Sequence, residues 1–156
     1  MTRVHIAGDH AAFELLRELA AFLTAEGHEV VEHGPHAYDA QDDYPVFVLR
    51  AAEAVAADPA ALGVVLGGSG NGEQMAANKV RGVRAALCYD EELARLAREH
   101  NDARVISIGA RMTDAETARA MVRTFVATPF SGDERHARRI AMLEDYEADG
   151  TLPPLP

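Results

Sequence analysis

The sequence predicts an α/β protein of three layers, with helices on both faces of a five-stranded parallel sheet. Two observations carry this. Five short apolar runs with strand character alternate with segments of helical periodicity along the whole chain. Parallel strands joined through helices are covered on both faces, so their runs read as apolar throughout. A third observation concerns function: the chain's densest group of glycines lies between the third strand-like run and the next helix.

The first strand is expected over Arg3 to Ala7, followed by a helix from Ala11 to Glu26. Its apolar Leu15, Leu16, Leu19, Phe22 and Leu23 fall on helical spacing, and Gly27 ends it. A second strand covers Glu29 to Glu32, and a polar loop runs from His33 to Asp43. Pro45 suits the first turn of a helix reaching Ala57. The third strand is Leu62 to Leu66, then a short helix from Glu73 to about Lys79, and the fourth strand is Val83 to Cys88. Asp90 is placed to cap a helix that ends near His100 and Asn101. The fifth strand is Val105 to Ile108, and Thr113 or Asp114 starts a helix to Ala127. Pro129 breaks the chain before a last helix from Asp133 to Glu147. The expected strand order is 2-1-3-4-5, common at this length. Residues 1–156 are read as one domain with an extended tail from about residue 148.

Composition narrows the function. Fifteen basic against 25 acidic residues give a net charge of −10, a poor field for nucleic acid or an anionic membrane. No apolar run approaches the ~20 residues of a membrane span. The strand-like run at the N-terminus leaves no room for a signal peptide, so the expected location is cytoplasmic. The single cysteine, Cys88, sits in an apolar run and reads as a core residue.

Ligands of open α/β sheets bind beyond the carboxyl ends of the strands, where the strand order reverses. In the expected order, the loops after strands one and three meet there. The first is Gly8-Asp9-His10, and the second is Gly67-Gly68-Ser69-Gly70-Asn71-Gly72-Glu73. Glycines let a loop aim several N–H groups at one point, and a following helix start adds its unpaired amides. The pocket for negative charge so formed carries a hydroxyl, Ser69, and a carboxylate, Glu73. An anion hole beside a carboxylate suits proton transfer: the hole holds an oxyanion while the carboxylate takes the proton. A helix start lowers a carboxylate pKa, so Glu73 must be partly buried to serve as a base. His100 closes a helix and could shuttle a proton. Arg135 with Arg138 or Arg139 can present two guanidiniums from one helix face, a phosphate clamp. Arg111 follows the fifth strand. His33, His36, Asp9, His10, Asp39, Asp42 and Asp43 match no metal-site spacing. The glycine loop lacks the Lys-Ser/Thr ending of a mononucleotide loop and the spacing of a dinucleotide loop.

Taken in order, Gly8-Asp9-His10-Ala11, Asp43-Tyr44-Pro45, Gly68-Ser69-Gly70-Asn71-Gly72, Ala76-Ala77-Asn78-Lys79, Glu99-His100-Asn101-Asp102, Ile108-Gly109-Ala110-Arg111 and Arg135-His136 with Arg138-Arg139 resemble the type B ribose-5-phosphate isomerases. That family also includes galactose-6-phosphate isomerase subunits. The resemblance spans roughly Val4 to Tyr146. Many members carry a cysteine base just before the Gly-Ser/Thr-Gly; here that position is Gly67. A branch like the mycobacterial enzymes uses a glutamate at the position of Glu73 instead, and this chain resembles that branch.

The resemblance implies a three-layer Rossmann-like fold and interconversion of ribose 5-phosphate and ribulose 5-phosphate without metal or organic cofactor. It implies a homodimer, or a tetramer, whose sites mix residues of two subunits, with the last helix packing on a partner. On this reading Glu73, Ser69, His100 and Asp9 are catalytic. The substrate is bound by His10, Tyr44, the loop residues Gly68, Gly70, Asn71 and Gly72, and Asn101, Arg111, Arg135 and Arg139. The alternatives are an isomerase of a six-carbon aldose phosphate, a non-catalytic nucleotide-binding α/β module, and an inactive regulatory relative. The carboxylate in the loop and the arginine pair speak against the second, and the presence of Asp9, Glu73 and His100 together against the third.

Overall fold

The computed structural model describes residues 1–156. It contains β1 (Arg3–Ala7), α1 (Phe13–Ala25), β2 (Glu29–Glu32), α2 (Tyr44–Ala57), β3 (Leu62–Gly67), α3 (Asn71–Ala77), β4 (Ala85–Leu87), α4 (Glu91–Asn101), β5 (Val105–Gly109), α5 (Ala115–Ala127) and α6 (Glu134–Asp149). A turn of 3-10 helix over His10–Ala12 precedes α1, so the α-helix starts two residues later than its periodicity suggested. Asp90 caps α4 as expected, accepting from the amide of Leu93, and of the two candidates at the start of α5 it is Asp114 that caps, accepting from the amide of Thr117. The short α3 starts at Asn71 rather than Glu73, because Gly70, at φ 84°, turns the chain into the helix. The last helix runs on to Asp149, and the extended tail starts at Gly150, in the left-handed conformation that ends helices.

All strand pairs are parallel, but the order is β2-β1-β3-β5-β4, not the expected 2-1-3-4-5. The physical reason is burial. Every residue of β5 is buried, as a strand between two neighbours and two helical layers must be. β4 has three residues, two of them only partly buried, and takes the edge. β5 therefore lies against β3, with Gly63 opposite Val105 and Gly67 opposite Gly109.

Alternate residues of the strands feed two cores. Val4, Ile6, Val64, Leu66, Ile106 and Ile108 pack under α1, α4 and α5. Val65 and Val105 pack under α2 and α3. Fully buried residues such as Leu16 and Leu19 hold α1 in place, and truncating one to alanine costs about 2–5 kcal/mol. Outside both layers lies α6, which buries only His136 and Ile140. No helix is long and apolar enough to cross a membrane.

Candidate active site

The strand order still reverses between β1 and β3, and the loops after them meet there. A Cβ on Gly8 would stand 2.8 Å from the Leu66 carbonyl, so only glycine permits this approach. The glycine loop then crosses the end of β5. The Ser107 hydroxyl donates to the Gly70 carbonyl at 2.7 Å, and the amides of Ala110 and Arg111 donate to the carbonyls of Gly67 and Gly68. A Cβ on Gly109 would run into the Ser69 backbone. The insertion of β5 beside β3 thus has a direct consequence for the site. It brings the Arg111 guanidinium over Gly68, 3.1 Å from where a Cβ would stand.

Glu73 is the third residue of α3 and is 4% exposed. Its carboxyl group folds back over Gly67, into the space where any side chain at that position would begin. Burial raises its pKa above the usual carboxylate range, and the nearby Asp9 charge adds to this. The amides of Glu73 and Gly70 oppose the shift. The balance needed for a base at a helix start is therefore met by burial. Ser69 and Asn71 are exposed on the loop beside it, with the Asn71 amide donating to the Ser69 hydroxyl. The Tyr44 phenol packs against Gly72, where a Cβ would overlap the ring.

On the β1 side, Asp9 is buried and accepts from the Ala11 amide at 3.0 Å. Asp42 Oδ1 accepts from both the backbone amide of His10 (2.9 Å) and its ring Nδ1 (2.7 Å). The Asp42 hydrogen bond raises the His10 pKa, against desolvation, which favours the imidazolium. Sequence reasoning gave Asp42 only a place among weak metal candidates; no local signal ties it to a histidine 32 residues away. Asp9, His10 and Asp42 have ligand-type atoms within 4.8 Å of one another. His10 Nδ1 and Asp42 Oδ1 already satisfy each other, so the group is a hydrogen-bonded dyad beside an N-cap rather than an open ligand shell. His33 points elsewhere, its Nε2 lying 2.8 Å from His5 Nδ1. Cys88 is buried and its thiol is pushed up to about 12, which leaves it no role as a base.

The remaining candidates are not in this cluster. Because β4 and β5 are parallel, α4 starts beyond the carboxyl end of β4 and returns to the amino end of β5. Its eleven residues span about 16 Å, so His100 and Asn101, in its last turn, lie at the opposite end of the sheet from Glu73. The start of α6 is fixed beside them. Arg98 donates to the Thr128 carbonyl and the Ser131 amide to the Glu99 carbonyl. The His136 ring then stacks on His100, centroids 4.2 Å apart at 14°. Arg135 and Arg139 stand exposed on the same helix without an ion-pair partner, whereas Arg138 pairs with Glu134. The candidates thus fall into two groups: Asp9, His10, Tyr44, the glycine loop, Glu73 and Arg111 at one end, and His100, Asn101, Arg135 and Arg139 at the other. The roomiest concavity, about 640 Å³ between α1 and the loop after β2, belongs to neither.

A buried, proton-avid carboxylate beside an amide-rich loop at the switch point of a parallel sheet defines a proton-transferring α/β enzyme. Comparison with known proteins narrows the class. The model of the Ribose/Galactose Isomerase family matches residues 4–143. Ribose-5-phosphate isomerase B of Mycolicibacterium paratuberculosis is 52% identical over 154 residues, 99% of this chain and 97% of that protein. Its counterpart from Mycobacterium tuberculosis is 51% identical, over 99% of this chain and 95% of that one. Among solved structures, the Mycoplasma genitalium ribose-5-phosphate isomerase B with bound ribulose-5-phosphate aligns with a TM-score of 0.92 at 37% identity, covering 95% of this chain and 97% of that one. The Trypanosoma cruzi type B enzyme aligns at 0.91 and 45% identity, over 97% and 100%. The chain belongs to the ribose/galactose isomerase family, as a ribose-5-phosphate isomerase of type B.

Proposed function

We propose that Glu73 is the base with which this aldose–ketose isomerase interconverts D-ribose 5-phosphate and D-ribulose 5-phosphate. One proton leaves C2 of the open-chain aldose, and the same carboxyl returns it to C1 through a cis-enediolate. The observation that carries this reading is the Glu73 carboxyl itself: buried, raised in pKa, and seated over Gly67 inside a loop rich in backbone amides. A positioned base of this kind contributes about 10²–10⁴-fold to rate. The amides of Gly68, Gly70 and Gly72 and the Ser69 hydroxyl stabilise the oxyanion, a donor being worth about 3–4 kcal/mol. His10, whose pKa Asp42 raises, and Arg111 meet the phosphate together with Arg135 and Arg139. Tyr44 lines the sugar pocket, and Asn101 orients a hydroxyl. Opening of the furanose breaks the C1–O4 bond; His100 gives a proton to O4 and Asp9 takes the one from the C1 hydroxyl.

The two half-sites at opposite ends of one sheet support a site completed by a second copy of the chain. So does α6, which exposes Met142, Leu143 and Tyr146. A helix with only two buried residues and three exposed large apolar ones is suited to packing on a partner. We infer a cytoplasmic homodimer in which the glycine loop of one copy faces His100 and the arginine pair of the other.

Turnover of the purified protein on ribose 5-phosphate, with EDTA present, tests the reading, with allose and galactose 6-phosphates and ATP binding as comparison arms. Turnover on ribose 5-phosphate that collapses in Glu73→Gln supports it. Turnover confined to six-carbon phosphates, or ATP binding without isomerisation, overturns it.

A further inference from the structure

The mechanism above leaves His136 unused, yet it is the most conspicuous polar residue of the arginine half-site. It is 5% exposed on a helix whose neighbouring Arg135 and Arg139 are open to solvent. Its ring lies nearly parallel to that of His100, 4.2 Å away. Its Nε2 is buried with no hydrogen-bond partner. An unpaired buried nitrogen is a cost that an aliphatic side chain at the same place would avoid. What an aliphatic side chain lacks is a flat face.

We propose that His136 is a positioning residue for ring opening: its ring is the platform that fixes the plane of the His100 imidazole, so that a His100 nitrogen reaches the furanose ring oxygen. The inference rests on the role given to His100 above. His100 ends α4, where only the backbone of one last turn orients it, and an imidazole swinging about its two side-chain torsions would lose most of its alignment. Stacking removes that freedom from one side, and His100 stays partly exposed.

The surroundings keep the platform uncharged. Burial lowers the His136 pKa first, then His100 of α4, with Arg135 and Arg139 of its own helix adding to this and Asp133 opposing. Two stacked imidazoles this close are poorly placed to hold two positive charges.

The test separates ring opening from enolisation. Ribulose 5-phosphate is acyclic, so deuterium wash-in at its C1 in D2O reports Glu73 chemistry without ring opening. Turnover of ribose 5-phosphate, which is cyclic, needs both steps. His136→Ala should lower kcat on ribose 5-phosphate about ten- to a hundredfold, with KM and wash-in held within about twofold. His136→Phe keeps a flat ring and removes the unpaired nitrogen, and should restore kcat to within about threefold of the parent. Equal loss of wash-in and turnover in His136→Ala, or a Phe variant as slow as the Ala variant, would overturn the proposal. His100→Ala run alongside tells the two readings apart. If it shows the split and His136→Ala does not, only the platform fails; if His100→Ala shows no split, the role of His100 fails and the platform with it.

Discussion

The carboxyl group of Glu73 occupies the space in which a side chain on Gly67 would begin. The two positions are six residues apart, one at the end of β3 and one in the first turn of α3, yet they compete for one volume. In relatives with a cysteine before the glycine loop, that cysteine stands at the first position; the base proposed for this chain stands at the second. The geometry makes these placements mutually exclusive, so the Glu73 carboxyl and the bare glycine are one feature of the structure.

Gly67→Ala should therefore displace the Glu73 carboxyl. The expected cost is about 1–3 kcal/mol of stability, typical of overpacking. In a Glu73→Ala background, the same substitution should cost little. Chemical denaturation of the two single variants and the double variant measures the coupling, and additive costs would show that the two side chains do not share the space.

Glu73→Gln should lower turnover about 10²–10⁴-fold while stabilising the fold at neutral pH. The sign follows from burial. A carboxyl whose folded-state pKa is raised favours the folded state below its unfolded pKa, and that contribution is lost as pH rises through the folded value. Above that value the buried carboxylate charge is a burden that the amide removes. Melting temperatures measured against pH should show the variant above the parent at pH 7, with the gap closing toward acid pH. A gap that widens toward acid would contradict the raised pKa.

The Asp42 bond raises the His10 pKa, which favours the charged ring and supports a role at the phosphate. KM for the sugar phosphate should rise as pH climbs through the raised His10 pKa. Asp42→Asn should move that limb to lower pH and raise KM several-fold at neutral pH, leaving kcat within about twofold, since phosphate binding acts alike on substrate and transition state. An unchanged KM–pH profile in the variant would remove Asp42 from the site.

Much of this fold is legible in the chain because its signals are local. The Arg3 to Ala7 and Glu29 to Glu32 strands and the caps at Asp90 and Asp114 stand where their residue types put them. The order of β4 and β5 is not legible in the chain, because pattern alone does not say which of two apolar runs is inner. The complete burial of Val105–Gly109 and the brevity of Ala85–Leu87 decide it, and both are tertiary facts. The same holds in the site. Glycines and an acid after a strand point to the anion loop, but the Asp42–His10 bond, the His136–His100 stack and the overlap of Glu73 with Gly67 join residues that sequence spacing does not relate. Nor does spacing show that His100 and Arg139 lie at the far end of the sheet from Glu73; that needs the direction of α4.

The central claim is that one active site is built from two copies of the chain, Glu73 from one and the arginine pair from the other. It is tested most directly by mixing two defective variants, Glu73→Gln and Arg135→Ala/Arg139→Ala, and assaying ribose 5-phosphate at low concentration. Random reassortment makes about half the dimers mixed, each with one intact site of two, so about a quarter of parental activity should return. Activity no greater than that of the two variants assayed separately would contradict the claim.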